Sequence, residues 1–320
     1  MNQATSEPSS EVAVARISKA LEHLREQLHP IDTVLQAFEP VLMEKARIRA
    51  ELASFVNDPI EPPDPTRFEK GVPLSSPEML IDFTNEVWGQ AAARLIPAME
   101  KGFPKLKADL QATGSAVLKG QLDPQEYLKA AAEGDTEVTR TVSERSGIDP
   151  RSLGFILGQI MKPLVEKRTE ALRSRIDALR WQKGYCPICG SMPELAYLKG
   201  EEGQRWLRCS FCGNDWRYVR LACPFCENEE QESLLIYYIA GREQERVEAC
   251  QKCGRYVVSI DLRGRLDEAV LEVAALGMVH LDVISQQKGL LPAAVCAWNI
   301  VSGDDIISSL AEVQLKKFAS

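Results

Sequence analysis

Apolar positions along the first ~180 residues recur at helical spacing. Ile31, Val34, Leu35, Phe38, Val41 and Leu42 form one stripe, and residues 12–56 read as helical, with Pro40 as a point of restart or kink. A second stripe of Leu153, Ile156, Leu157, Ile160 and Leu164 opens a long helix expected over 151–181, with Pro163 inside it. Ser76-Pro77, Asp123-Pro124 and Asp149-Pro150 each put a capping acceptor before a proline suited to the first helical turn. From Gly184 the period changes to two. Strands are expected at 194–198, 204–208, 216–220, 234–238 and 255–259, separated by turns at 199–203 and 241–244. The pattern returns to helical at 269–287 and again at 304–317.

The expected fold class is therefore α+β and multidomain. A disordered stretch at 1–10 precedes an all-α domain at 11–183. Within that domain residues 57–77 hold six prolines and read as an extended connector. Two tandem zinc-ribbon or rubredoxin-like units follow at 184–222 and 223–264, and 265–320 is a short helical C-terminal segment. Within 186–262 the order knuckle, strand, turn, strand, knuckle, strand occurs twice.

Cysteine placement sharpens this picture. Eight of the nine cysteines form Cys-x-x-Cys pairs, namely Cys186/Cys189, Cys209/Cys212, Cys223/Cys226 and Cys250/Cys253. In a reducing compartment such clustering points to metal or redox chemistry rather than to a disulfide framework. Two knuckles give a tetrahedral shell of four sulfurs, suited to zinc or iron. The duplication favours sequential pairing, in which 186, 189, 209 and 212 share one ion and 223, 226, 250 and 253 the other. A cross-brace is the alternative. Either arrangement gives two metal ions per chain, iron or zinc, each held by four cysteines with no open position for substrate. His23, His29 and His280 lie away from the cysteines in sequence and read as ordinary helix residues. Cys296 reads as an inert thiol.

Charge and composition remove several functions. The chain has 320 residues, 45% of them hydrophobic, with 38 Lys+Arg against 46 Asp+Glu, for a net charge of −8. Residues 184–264 carry ten Lys+Arg against twelve Asp+Glu, which disfavours a phosphate-binding surface and hence nucleic acid. The longest uncharged stretch, 289–303, is too short to span a bilayer and contains Pro292. Residues 1–14 lack Lys, Arg and an apolar core, so no secretory signal is expected and the cytoplasm is the expected location. No phosphate loop, nucleophile elbow or His-Glu-x-x-His motif is present, so no enzyme is expected and no catalytic or cofactor-binding residue is assigned. Arg205, Trp206, Trp216 and Arg220 flank the second knuckle and are read as a partner-docking face, against the alternative of a solvated strand face with inward tryptophans.

The run Arg205-Trp206-Leu207-x-Cys209-Ser210-x-Cys212, then Trp216, Arg220 and Cys223-x-x-Cys226, resembles the FdhE family of formate dehydrogenase accessory proteins. Upstream Cys186-Pro187-x-Cys189-Gly190-Ser191-x-Pro193 and downstream Glu248-Ala249-Cys250-x-x-Cys253-Gly254-x-Tyr256 also resemble that family's knuckles. The resemblance implies a helical domain joined to a rubredoxin-like region, with iron as the usual metal. It also implies a cytoplasmic accessory role in which the protein contacts the catalytic subunit of a formate dehydrogenase during assembly, and it allows a homodimer. A dithiol or rubredoxin-like redox protein is the alternative, with a nucleic-acid-binding ribbon behind it.

Overall fold

The structure, a computed structural model, describes residues 9–27, 31–52, 63–264 and 269–299, and the backbone of 316–317. Residues 1–8 of the stretch expected to be disordered over 1–10, and 304–315 of the helix expected over 304–317, lie outside the described residues. Ser10 already begins a helix, and Lys316–Lys317 is strand rather than helix, which corrects the end of the expected C-terminal helix.

Two compact units emerge, dividing after Ala171, and residues 63–76 group with the second. The first unit is helical: α1 (Ser10–Gln27), α2 (Asp32–Glu51), then, after α3 (Pro65–Glu69) of the second unit, α4 (Pro77–Leu80), α5 (Asn85–Gly102), α6 (Lys107–Leu118), α7 (Pro124–Glu133), α8 (Thr136–Ser146) and α9 (Pro150–Arg173). The helical stretch expected over 12–56 holds α1 and α2, and no restart falls at Pro40: α2 runs through it, as α9 runs through Pro163. Helix α9 ends at Arg173, short of Trp181, and three-residue turn bonds such as Arg175 N–H to the Leu172 carbonyl (3.1 Å) follow. The Asp-Pro starts behave as local chemistry requires. Asp149 accepts from the amides of Arg151 and Ser152 at 2.9 and 3.0 Å, and Asp123 caps α7. The core joins Leu35, Phe38 and Leu42 of α2 to Trp88, Leu95 and Met99 of α5. Phe38, Phe103 and Phe155 meet edge to face, with centroids 5.0–6.2 Å apart. Gly102 lies against the Ala37 carbonyl, which a Cβ would overlap, so the close approach of α2 and α5 requires glycine there.

The second unit is built on strands β1 (Pro193–Lys199), β2 (Gln204–Cys209), β3 (Asp215–Arg217), β4 (Leu234–Tyr238), β5 (Glu245–Cys250) and β6 (Arg255–Asp261). Two short strands add to it: β7 (Leu291–Pro292) pairs with β6, and β8 (Lys316–Lys317) pairs with β4. The main order is β3-β2-β1-β6-β5-β4-β8. Each half is an antiparallel meander, and the halves meet where β1 runs parallel to β6, Leu195 beside Val258. Equivalent strands therefore point the same way, and the duplication appears as a sideways translation within one sheet. The two ribbons share a continuous hydrogen-bonded layer rather than standing as separate beads.

One face of this sheet, with Val247, Ala249, Tyr256, Val258 and Ile260, is buried; α11 (Val279–Gln287) packs on β5 and β6. The single helix expected over 269–287 is broken at Met278 into α10 (Leu271–Gly277) and α11. Gly277, with its low helix propensity, stands at the break. Beneath the sheet, Tyr256 donates its hydroxyl hydrogen to Asp282 Oδ1 at 2.8 Å. Burial, together with the charge of Glu194, raises the Asp282 carboxyl to about 7, while the bond from Tyr256 acts the other way. No helix among the described residues is long and apolar enough to cross a membrane.

Candidate metal centres

All four knuckles form the same turn. The first cysteine's carbonyl accepts from the amide four residues on: Gly190 to Cys186 (2.9 Å), Gly213 to Cys209 (3.2 Å), Glu227 to Cys223 (2.9 Å) and Gly254 to Cys250 (2.9 Å). In the first three the cysteine amide also donates to the residue five on, Ser191, Asn214 or Asn228, and in the fourth Cys250 pairs with Arg255 across the β5–β6 ladder. These bonds close a hairpin around each Cys-x-x-Cys and aim both sulfurs to one side. Amide-to-sulfur bonds from Ile188 to Cys186 and from Cys212 to Cys209, each 3.4 Å, support the thiolates.

Strands β1 and β2 return the chain so that the first two knuckles converge, and β4 and β5 do the same for the third and fourth. The sulfurs of Cys186, Cys189, Cys209 and Cys212 all lie within 4.8 Å of one another, as do those of Cys223, Cys226, Cys250 and Cys253. This is the sequential arrangement, not the cross-brace. In the first cluster, Cys186–Cys212, Cys189–Cys209 and Cys189–Cys212 are 3.6, 3.5 and 3.6 Å apart. In the second, Cys223–Cys253 and Cys226–Cys250 are each 3.7 Å apart. A tetrahedral shell with metal–sulfur distances of about 2.3 Å has sulfur–sulfur edges of about 3.8 Å, so both clusters have the dimensions of an S₄ metal shell. A disulfide needs about 2.05 Å, and all nine cysteines are free.

Four thiols crowded together do not keep ordinary acidities. Burial raises Cys186 and Cys212 well above the usual thiol value, whereas Cys209 falls well below it because hydrogen bonds from the other three thiols outweigh its burial. In the second cluster burial pushes Cys223 up, while Cys250 is lowered by backbone and thiol donors despite its burial. Four cysteine sulfurs converging in this way form a donor set for one cation. Iron and zinc both fit such a donor set. With four protein sulfurs per shell, a bound ion has no open position, so the chemistry open to it is structural support or electron transfer.

The remaining candidates fall elsewhere. His280 is buried, with Nδ1 3.0 Å from the Gly277 carbonyl, and His23 is exposed on α1; His29 lies outside the described residues. Among the described residues neither His280 nor Cys296 belongs to a ligand cluster. Of the residues read as a docking face, Arg205 is buried, donating to the Val219 and Ala222 carbonyls (3.0 and 2.8 Å) and pairing with Glu248. Trp216 is buried too, its indole N–H donating to the Lys183 carbonyl at 3.2 Å. Trp206 is half-buried and stacks on Tyr197, centroids 6.4 Å apart. Only Arg220 of the four is fully on the surface.

Residues 185–220, which hold the first cluster, match the model of the FdhE central domain. The chain is 35% identical over 149 residues to the FdhE homolog of Aquifex aeolicus (strain VF5), covering 46% of this chain and 52% of that protein. It is 32% identical over 120 residues to FdhE of Escherichia coli O127:H6, covering 36% and 37%. The chain thus spans about half the length, or less, of these relatives. The fold is that of the crystal structure of FdhE from Pseudomonas aeruginosa, with a TM-score of 0.62 and 22% identity over 91% of this chain and 96% of that one. The segment that holds the first cluster thus matches the FdhE central domain, and the chain shares its fold with a solved FdhE structure.

Proposed function

We propose that the chain is a cytoplasmic, non-catalytic metal-binding protein that assists assembly of a formate dehydrogenase by contacting its catalytic subunit. The two S₄ clusters, each with the dimensions of a filled tetrahedron, carry this reading. Closed shells suit a protein that organises or reports a metal rather than one that turns over substrate at it. The family resemblance supplies the client. Each shell takes one thiophilic ion, iron or zinc, giving two per chain. The test is recovery of the dehydrogenase catalytic subunit on immobilised full-length protein, purified anaerobically with its metal content measured. Recovery by the metal-loaded protein is expected, and recovery of nothing by either the loaded or the stripped form overturns the reading.

Exposure of Cys226 favours a second reading, a rubredoxin-like redox centre at the second cluster. Reversible one-electron cycling of the iron-loaded protein, silenced by Cys226→Ser, separates it from a purely structural metal.

A further inference from the structure

The open face of the second half-sheet holds a cavity of 580 Å³, walled on one side by residues 220–225. Registry shows how it arises. Ile236, Glu248 and Val257 stand side by side across β4, β5 and β6, facing away from the helices, and Leu198 shares this face through β1. Arg205 holds the wall in place. Its guanidinium grips the carbonyls of Val219 and Ala222 in the loop and the Glu248 carboxylate on the sheet floor. The buried arginine is thus the staple of a groove.

Two features of the rim point to its occupant. The first is charge. Arg220 makes only a long 3.5 Å contact with the Glu202 carbonyl, and Arg255 donates to the Pro292 carbonyl (2.9 Å) beneath the Phe225 ring (3.9 Å to its centroid). Neither guanidinium meets a carboxylate among the described residues. The second is exposed apolar surface. Val219, Leu221 and Phe225 are 48%, 45% and 37% exposed within seven residues of chain, and Leu291 at 57% adjoins Arg255 in the ladder. Monomers seldom leave bulky apolar side chains so close together unless something covers them, and a closed small-molecule site would bury them. The groove crosses four strands, about 14 Å at ~4.8 Å per strand, which matches four to five residues of extended chain.

We infer that this groove docks an extended segment of a client protein, with a bulky apolar side chain flanked by carboxylates. The apolar side chain seats on Val257 and Ile236, and the carboxylates meet Arg220 and Arg255 in the forked geometry that guanidinium groups favour. The inference rests on the accessory-protein reading for the client's identity, but not for the chemistry of the groove.

The test uses the full-length, metal-loaded protein and two fluorescein-labelled peptides, Asp-Leu-Glu-Phe-Asp and its charge-reversed counterpart Lys-Leu-Lys-Phe-Lys, titrated by fluorescence polarisation. Saturable binding of the acidic peptide alone is expected, weakened at least tenfold by Arg220→Glu with Arg255→Gln and, independently, by the surface change Leu221→Ser. Equal binding of the two peptides, no saturable binding, or wild-type affinity in the metal-loaded variants overturns the groove. Recovery of the dehydrogenase subunit keeps the two readings apart. Undiminished recovery by Arg220→Glu/Arg255→Gln removes the groove and leaves the function standing. If wild type recovers no subunit, the function falls while the peptide titration still judges the groove.

Discussion

The two cysteine clusters are copies of one device set in different surroundings. They share the turn, the amide-to-carbonyl bonds and the translation within the sheet, yet the first is sealed and the second is open. Cys186, Cys209 and Cys212 have no exposed surface and Cys189 has 3%, whereas Cys226 is exposed and Cys253 half-buried. The difference comes from what lies over the knuckles. The amides of Leu74 and Ser75 donate to the Pro187 and Ile188 carbonyls at 2.9 and 2.8 Å, laying a strap across the first knuckle. The Tyr185 hydroxyl, donating to the Gly71 carbonyl at 2.8 Å, ties the same strap down. Over the second cluster, among the described residues, a polar loop lies close, in which Asn228 reaches the Cys250 sulfur at 3.8 Å and Ser233 at 2.7 Å. Ligand identity and spacing are therefore not enough to define a metal site, because the neighbouring chain decides whether water and other thiols reach it.

The largest expected effect breaks the pair directly. Cys209→Ser removes one ligand from the sealed shell and leaves a hydroxyl among three buried sulfurs. Cys226→Ser removes one where water can take its place. Structural zinc contributes ~10–16 kcal/mol in isolated modules, comparable with or above the ~5–15 kcal/mol stability of a whole domain. Cys209→Ser is expected to lose the native sheet, while Cys226→Ser keeps its circular dichroism and falls from two metal ions per chain to one. In wild type, a competing chelator should strip one ion at least tenfold faster than the other, with Cys226→Ser abolishing the fast phase. Equal melting of the two variants and a single stripping rate would show that burial carries no energetic weight here.

A smaller effect tests what supports the open half from below. Strand β6 is joined to α11 through Tyr256 and Asp282, and the Asp282 carboxyl stays protonated up to about pH 7 in the folded chain against an ordinary value of 3.8. An acid raised in this way favours folding while both states hold the proton. As pH rises from about 4 the unfolded chain ionises first, so the favourable contribution is lost progressively until the folded form also ionises near 7. A rise from 3.8 to about 7 corresponds to on the order of 4 kcal/mol lost across that window. Asp282→Asn keeps an oxygen to accept from Tyr256 but cannot ionise. Its stability in denaturant should change less between pH 5.5 and 7.5 than that of wild type, and parallel pH profiles would refute a buried acid under this strand.

What was legible in the sequence follows from the range over which each feature is set. Knuckles and caps close within five residues, so motif and spacing reveal them, and the repeated order of strand and knuckle is sufficient to suggest which knuckles pair. The parallel seam between β1 and β6 joins residues some sixty apart, and a period of two says nothing about which strand lies beside which. The strap over the first cluster is likewise invisible, since Leu74 and Ser75 lie in a proline-rich stretch that reads only as a connector. Arg205 and Trp216 show the same limit from the other side. Their residue types suggest an interface, but Glu248, 43 positions away from Arg205, makes that arginine a buried fastening.

The smallest effect separates the clusters at a single backbone position. The residue after each Cys-x-x-Cys adopts a positive φ: 76° at Gly190, 65° at Gly213 and 69° at Gly254, but at the third knuckle it is Glu227, at 57°. Among the described residues Glu227 is the only one other than glycine in this region. A left-handed conformation costs a side chain with a Cβ about 1–2 kcal/mol, since Cβ crowds the following carbonyl, and glycine avoids that cost at the expense of extra freedom in the unfolded chain. Glu227 pairs with Lys183 at 2.9 Å, but both side chains are substantially exposed, so solvent screens the pair and it offsets little of the strain. Glu227→Gly is therefore expected to stabilise the open cluster slightly, by under about 1 kcal/mol, and to slow the fast phase of metal release. The matching change at the sealed cluster, Gly213→Glu, should do the reverse and by more, because it adds both the strain and a bulky charge beside Asn214, which is 2% exposed. Opposite shifts in melting temperature for the two variants would mean the clusters differ in backbone strain as well as in cover. A destabilised Glu227→Gly would instead assign Glu227 a supporting role that outweighs its strain, with the Lys183 pair as its source.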